Sequence, residues 1–164
     1  MLAIFQRNNL RLVLFTFLLS LTVTSNAIAD RVGDGPVIVT TKNNNLCFAV
    51  DKYKPKGSIF QSRSIARKGL ALQSIGVLKY QGDAIWSIYV PTQNIGNEFI
   101  LKSEQCLEYG IILKNYKTFK ETKSLSTGKF TVVISGIDLQ ENRTAKFLTS
   151  FNLKITDGQL NLID

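Results

Sequence analysis

The most regular pattern in the chain is an alternation of apolar and polar residues near its C-terminus. Between Phe147 and Ile155, every second position is apolar except for Thr149, and this is the period of a β-strand with one buried face. Asp157-Gly158 follows, a dipeptide that favours a two-residue turn into a second strand over Gln159–Ile163. The pattern therefore predicts a β-hairpin at this end of the chain.

Shorter strand patterns fill most of the chain after residue 35. Leu70–Tyr80 and Ala84–Val90 flank Gln81-Gly-Asp83, which predicts another hairpin. Further strands are predicted at Pro36–Thr41, Leu46–Val50, Glu98–Lys102, Cys106–Leu113 and Phe130–Ile134, and polar connections at 51–69 and 114–129. No segment after residue 30 keeps a helical apolar stripe over ten residues. We therefore expect an all-β fold, an antiparallel β-sandwich of immunoglobulin-like type with about eight short strands and one disulfide.

The first thirty residues have a different character. Arg7 and Arg11 precede an uncharged apolar run over residues 12–24, and Ala27-Ile-Ala29 follows. These are the features of a secretory signal peptide, with small residues where a signal peptidase must fit. We expect cleavage after Ala29, which leaves a single domain at 30–164 in the periplasm of a bacterium. The alternative, a retained membrane helix, requires about twenty apolar residues.

Composition limits the chemistry that the chain can perform. Its 164 residues include 20 Lys and Arg, 12 Asp and Glu, two cysteines and no histidine. Without histidine there is no Ser-His-Asp or Cys-His nucleophile and no His-ligated metal, and two cysteines are too few for a four-thiolate site. The carboxylates are scattered singly, without the pairing that glycoside hydrolysis needs. We therefore expect no enzyme activity, no catalytic residue, no metal site and no cofactor.

Cys47 and Cys106 both follow the expected cleavage site. An even pair of cysteines in an oxidising compartment most simply forms a disulfide. A reactive thiol is the alternative, although the spacing is unlike the C-x-x-C of redox proteins. Trp86 lies between the cysteines, in an order similar to that of immunoglobulin domains. We expect Trp86 to belong to the core rather than to stack on a ligand.

Positive charge is concentrated in the two polar connections. Signal removal lowers the net charge from +8 to +6 because Arg7 and Arg11 are lost. Basic loops attract an acidic protein, an anionic glycan or a lipid headgroup, although they also keep a domain soluble. No motif for reading nucleic acid is present, so we expect a protein partner, no nucleic acid and no stable membrane insertion after cleavage. The residues predicted to contact the partner are Tyr53, Lys114, Tyr116, Lys117, Phe119 and Lys120.

Two segments around the cysteines have a familiar form. They are Asn45-Leu-Cys47-Phe-Ala-Val50 and Ser103-Glu-Gln-Cys106-Leu-Glu-Tyr109-Gly110. Both resemble segments of enterobacterial type VI secretion immunity periplasmic proteins. The resemblance implies an exported binding protein that neutralises an envelope-targeting toxin, with loops that occlude the toxin surface. No cysteine stands directly after the apolar run, at the position of the new N-terminus, so a lipid anchor is not expected.

The competing expectation is a structural or assembly component of a surface or pilus system, such as an adhesin, a subunit or a chaperone-like sandwich. Donor-strand systems use an exposed sheet edge and a free extended arm. Residues 30–41, with apolar Val37, Ile38 and Val39, are suited to be such an arm. A pilus subunit would polymerise or bind a chaperone, whereas an immunity protein would remain a monomer or dimer.

Overall fold

The computed structural model describes residues 34–50, 69–80 and 82–163, which belong to one compact unit. The expected signal peptide, Tyr53 and nearly all of the first polar connection lie outside the described residues. Within those ranges the structure contains ten strands and one 3-10 helix, Thr92–Asn94. The strands are β1 (Val37–Lys42), β2 (Asn45–Val50), β3 (Leu70–Lys79), β4 (Ala84–Tyr89), β5 (Ile100–Leu101), β6 (Leu107–Glu108), β7 (Lys117–Lys120), β8 (Gly128–Asp138), β9 (Arg143–Thr156) and β10 (Gln159–Ile163).

The strands form two antiparallel sheets. The smaller sheet has the order β1-β2-β6, and the larger sheet has the order β10-β9-β8-β3-β4-β7, with β5 also paired to β3. The expected all-β antiparallel fold is confirmed, with ten strands in the described residues where about eight were expected. The sequence pattern does not predict β7, which lies within the second polar connection and forms one edge of the larger sheet.

Strand β8 is longer than its apolar pattern indicates. The pattern predicts a strand only at Phe130–Ile134, yet pairing with β9 continues to Asp138. Gly136 interrupts the apolar pattern for a steric reason. A Cβ atom there would lie 2.4 Å from the carbonyl oxygen of Ala71, beside the irregularity where β3 accommodates Gln73 as an extra residue. Only glycine permits the two backbones to approach this closely.

Trp86 lies at the centre of the core, with 1% of its surface exposed. Its ring stacks on Phe48 at a centroid distance of 6.4 Å and meets the ring of Tyr109 edge-on at 5.3 Å. These partners come from the smaller sheet and the turn that follows β6, whereas Trp86 belongs to the larger sheet. The expectation that Trp86 is a core residue is confirmed, and its ring joins the two sheets.

Cys47 and Cys106 form the expected disulfide. Cys47 is on β2 and Cys106 directly precedes β6, and these two strands are neighbours in the smaller sheet. The bond therefore lies within one sheet, whereas the disulfide of an immunoglobulin domain joins its two sheets. In this respect the fold departs from the expected immunoglobulin pattern.

The N-terminal end of the described chain pairs with the larger sheet. Gly35 forms a parallel bridge with Phe147 of β9, and the N–H of Asp34 donates to the carbonyl oxygen of Lys146 at 2.6 Å. The carboxylate of Asp34 also accepts a hydrogen bond from the guanidinium of Arg143 at 2.9 Å. Continuing into β1, the chain then pairs with β2. Residues 34–41, the described part of the expected donor arm, are thus bonded within their own fold.

The turns of two hairpins hold the sheets together at one end. The side-chain amide of Asn44, between β1 and β2, donates to the carbonyl oxygen of Gly158 and accepts from the N–H of Leu160, each at 2.8 Å. Gly158 lies in the turn between β9 and β10, as the Asp157-Gly158 pattern predicts. Asn44 and Asp157 both have positive φ angles, which Asn and Asp adopt more readily than most residues.

Candidate functional site

The outer face of the larger sheet carries an open groove with a volume of about 540 Å³. It crosses strands β8, β3, β4 and β7. The residues that line it are Ser74, Ile75, Gly76, Leu78, Ser87, Ile88, Tyr89, Phe119 and Val133. We call this feature the outer groove.

The floor of the outer groove is low because small residues meet there. Gly76 of β3 pairs directly with Ser87 of β4 on one side and with Val133 of β8 on the other. A Cβ atom on Gly76 would lie only 3.1 Å from that of Ser87, so the glycine creates part of the space. Leu78 and Val133 add aliphatic surface. The lining is therefore mainly apolar, with hydroxyl groups and no carboxylate.

An exposed aromatic pair forms the end of the groove at the sheet edge. The rings of Tyr89 and Phe119 meet edge-on with a centroid distance of 6.4 Å. Phe119 is the extra residue in a bulge, because Thr118 pairs with Ile88 and Lys120 pairs with Ser87. Its side chain is 77% exposed. A bulge at a sheet edge can re-aim a side chain, and exposed apolar surface beside polar residues is typical of a binding site.

Two lysines border the aromatic pair. Lys117 is paired opposite Tyr89, and Lys120 is paired opposite Ser87. Directly paired residues project from the same face of a sheet, so both lysines lie on the face that carries the outer groove. Within the described ranges, neither lysine has a carboxylate within 4 Å. The groove thus combines an apolar floor with a positively charged edge.

The structure brings three of the predicted contact residues together at the groove: Lys117, Phe119 and Lys120. Lys114 lies in the turn that precedes β7. Tyr116 has a different position, since its hydroxyl donates to the carbonyl oxygen of Leu72 and accepts from the N–H of Phe99. Burial raises the pKa of the Tyr116 phenol and so favours the protonated form, which is the form that donates to Leu72. Tyr53 lies outside the described residues.

Sequence reasoning misses the parts of the site that come from β3 and β4. Ser74, Gly76 and Leu78 alternate with buried Ile75 and Val77, so the period of two places them on the outer face. That alternation is the one signal in the sequence that could have indicated a small-residue surface there. It could not have shown which residues lie opposite, because register is a property of the pairing.

The hydroxyl of Ser87 is buried and has no hydrogen-bond partner in the structure. Because such a group has lost its water without gaining a partner, we expect Ser87→Ala to raise the free energy of unfolding by about 1 kcal/mol. Urea denaturation would measure the change. The matched control is Ser150→Ala, which removes a hydroxyl bonded to that of Thr131 at 2.9 Å and should give no gain. A loss of stability in Ser87→Ala would show that this hydroxyl does have a partner.

Among the described residues, neither a metal-binding cluster nor a membrane-spanning helix offers an alternative to the outer groove. Across residues 34–50, 69–80 and 82–163, no group of three or more His, Cys, Asp or Glu is arranged to hold a metal ion. The same ranges contain no helix with the length and apolar character needed to cross a membrane. No family model, curated protein or solved structure matches the chain. The function must therefore be inferred from the chemistry of the site.

Proposed function

We propose that the protein is an exported periplasmic binding protein that neutralises an envelope-targeting toxin and has no catalytic activity of its own. The observation that carries the proposal is the exposed Phe119 ring, beside Tyr89 and between two lysines without ion pairs in the described structure. Aromatic residues dominate the binding energy of many protein interfaces. Exposure of such a ring on an edge strand favours association with another protein.

Other features support the same proposal. A toxin must be intercepted quickly, and positive charge on the contact surface accelerates the encounter with an acidic partner. The signal sequence would deliver the protein to the compartment where such a toxin acts. The cysteine segments that resemble those of periplasmic immunity proteins form a cross-linked scaffold, and a preorganised scaffold reduces the entropy that binding costs.

The structure gives no specific support to a pilus or adhesin role. A donor strand must be free to pair with a neighbouring subunit. Residues 34–41 instead pair with β9 and β2 of their own chain. The immunity proposal therefore remains the one that the described residues favour.

The proposal is tested in two steps, isolation of the partner protein and protection of growth against that partner. The full chain, exported with its own signal and tagged at the C-terminus, would be used to isolate partners from envelope extracts of its own organism. We expect one stoichiometric protein with an acidic surface that stops growth when it is expressed alone in the periplasm. Co-expression of the present protein should restore growth. Capture of pilus subunits or an usher, or growth that is not restored, would contradict the proposal.

The same pair of proteins tests the role of charge. Reversing Lys114, Lys117 and Lys120 to glutamate should lower the association rate by about tenfold at low salt, since electrostatic attraction acts mainly on the encounter. Stopped-flow fluorescence would measure the rate. The matched control reverses Lys42, Lys129 and Lys154, which lie on other strands and produce the same change in net charge. An equal effect in both variants would show that net charge alone, and not the β7 surface, steers the encounter.

A further inference from the structure

We propose that the outer groove recognises an extended acidic segment of a partner protein in which a large apolar side chain stands between two carboxylates at alternate positions. The inference rests on the proposed function, because it names the chemistry of the partner that the same surface would bind. The apolar side chain would occupy the floor at Gly76 and Ser87, against Phe119. The two carboxylates would meet Lys117 and Lys120.

The outer groove has room for a large side chain together with the backbone on either side of it. Its volume of about 540 Å³ lies within the usual range of roughly 300–1,000 Å³ for binding pockets. Leu78, Val133 and the two aromatic rings offer apolar contact, and the small floor residues permit close approach. An aromatic side chain in contact with Phe119 would cover a ring that is now largely exposed.

The spacing of the lysines sets the spacing of the acidic residues. Lys117 and Lys120 are paired opposite Tyr89 and Ser87, which are two residues apart on β4, so the bulge at Phe119 leaves the two lysines separated by roughly 7 Å along the strand. In an extended segment, side chains at positions i, i+2 and i+4 share one face and span about 13 Å. Long lysine side chains cover this difference. The predicted pattern in the partner is therefore acidic–x–apolar–x–acidic, in which every second side chain faces the outer groove.

Other occupants fit less well. A second copy of this chain would bring the same lysines together, and like charges in contact oppose association. Strand addition to β7 is also disfavoured, because this edge is four residues long, bulged and lysine-bearing, features that protect sheet edges from pairing. Nucleic acids bind best on several stacked aromatic rings within a long basic track, whereas the floor here is aliphatic and small.

The probe is a short peptide, acetyl-Gly-Asp-Thr-Trp-Thr-Asp-Gly-amide, added to the ¹⁵N-labelled protein recovered from the periplasm after export of the full chain. Nuclear magnetic resonance titration would follow the backbone amides. We expect shifts at Gly76, Ser87 and Phe119, with little change in the smaller sheet. The matched peptide, acetyl-Gly-Thr-Asp-Trp-Asp-Thr-Gly-amide, has the same composition with its aspartates on the opposite face. It should bind about fivefold more weakly.

Variants of the protein test whether the probe binds at the outer groove or elsewhere on the surface. Phe119→Ala and the double variant Lys117→Glu/Lys120→Glu should each weaken binding of the probe by about tenfold. Ile112→Ala removes another exposed apolar side chain, 84% exposed, and should have no effect. Lys42→Glu/Lys154→Glu gives the same charge change elsewhere and should also have little effect. Urea denaturation of every variant would establish that its fold is retained.

Several results would overturn the inference. They are the absence of shifts at millimolar probe, shifts confined to other surfaces, equal binding of the two peptides, and tighter binding of oligothymidylate or anionic vesicles than of the probe. The result of the peptide titration can also be distinguished from the result of the growth-protection experiment that tests the proposed function. If the probe fails while growth protection holds, the protein neutralises its partner through another surface. If the probe binds while protection fails, the groove recognises acidic segments for a different purpose.

Discussion

The double variant Cys47→Ala/Cys106→Ala should unfold with a free energy about 4 kcal/mol lower than that of the wild type. The disulfide closes a loop of 59 residues, and its loss returns that conformational freedom to the unfolded chain. Domains of this size are commonly stable by only about 5–15 kcal/mol, so the change is large. Guanidinium denaturation followed by fluorescence would measure it, with the sole tryptophan, Trp86, as a buried probe.

Reductant provides the control for this prediction. Dithiothreitol should lower the stability of the wild type to that of the double variant and leave the double variant unchanged. A loss below about 1 kcal/mol in both experiments would contradict the chain-entropy argument. It would indicate that residual structure in the unfolded state, such as contact between the β2 and β6 segments, already restricts the chain without the covalent bond.

Trp86→Ala should lower the free energy of unfolding by about 4 kcal/mol, because removal of a large buried aromatic side chain leaves a cavity. The indole fills the space between Phe48 of the smaller sheet and Tyr109, and both would lose their contact with its ring. Circular dichroism would follow unfolding, since the variant has no tryptophan. Trp86→Phe, which retains an aromatic ring, should lose less than half as much.

This prediction also separates the two roles considered for Trp86. A residue whose main task is to stack on a ligand can be truncated with little loss of stability and a large loss of binding. A core residue behaves in the opposite way. A destabilisation below about 1 kcal/mol in Trp86→Ala would therefore contradict the position that the structure gives this side chain.

Much of the fold could be predicted from local pattern. The hairpins β3–β4 and β9–β10 carry alternating side chains and turn residues with clear conformational preferences, so each is specified by neighbours in sequence. The disulfide follows from the number of cysteines and the expected compartment. These features share one property, namely that their physical cause lies in the composition or in a short stretch of chain.

The edge of the larger sheet could not be predicted in this way. All four residues of β7, Lys117–Lys120, are exposed, so the strand has no buried face and shows no apolar alternation. Its extended form depends on hydrogen bonds to β4, a strand that lies about thirty positions earlier in the sequence. The sequence predicts Lys117, Phe119 and Lys120 as contact residues from their charge and aromatic character, although it places them in a loop.

The outer groove depends on pairing between distant segments. Gly76 faces Ser87 through the register of β3 with β4 and faces Val133 through the register of β3 with β8. A shift of one residue in either pairing would turn the small residues toward the other face. A bulge in β4–β7 then leaves Phe119 unpaired at the end of the groove. None of these relations is visible before the strands are aligned.

The parallel bridge between Gly35 and Phe147 affects the order in which contacts form during folding. A ribosome makes the N-terminal segment first, and the strand that receives it comes more than a hundred residues later. Asp34 and Gly35 therefore lack their final hydrogen bonds until nearly the whole chain has been synthesised. Loop closure over such a distance is slow compared with formation of a hairpin. The bridge at Gly35 is thus a late contact, and a chain that stops before β9 can form the β1–β2 hairpin but cannot form this bridge.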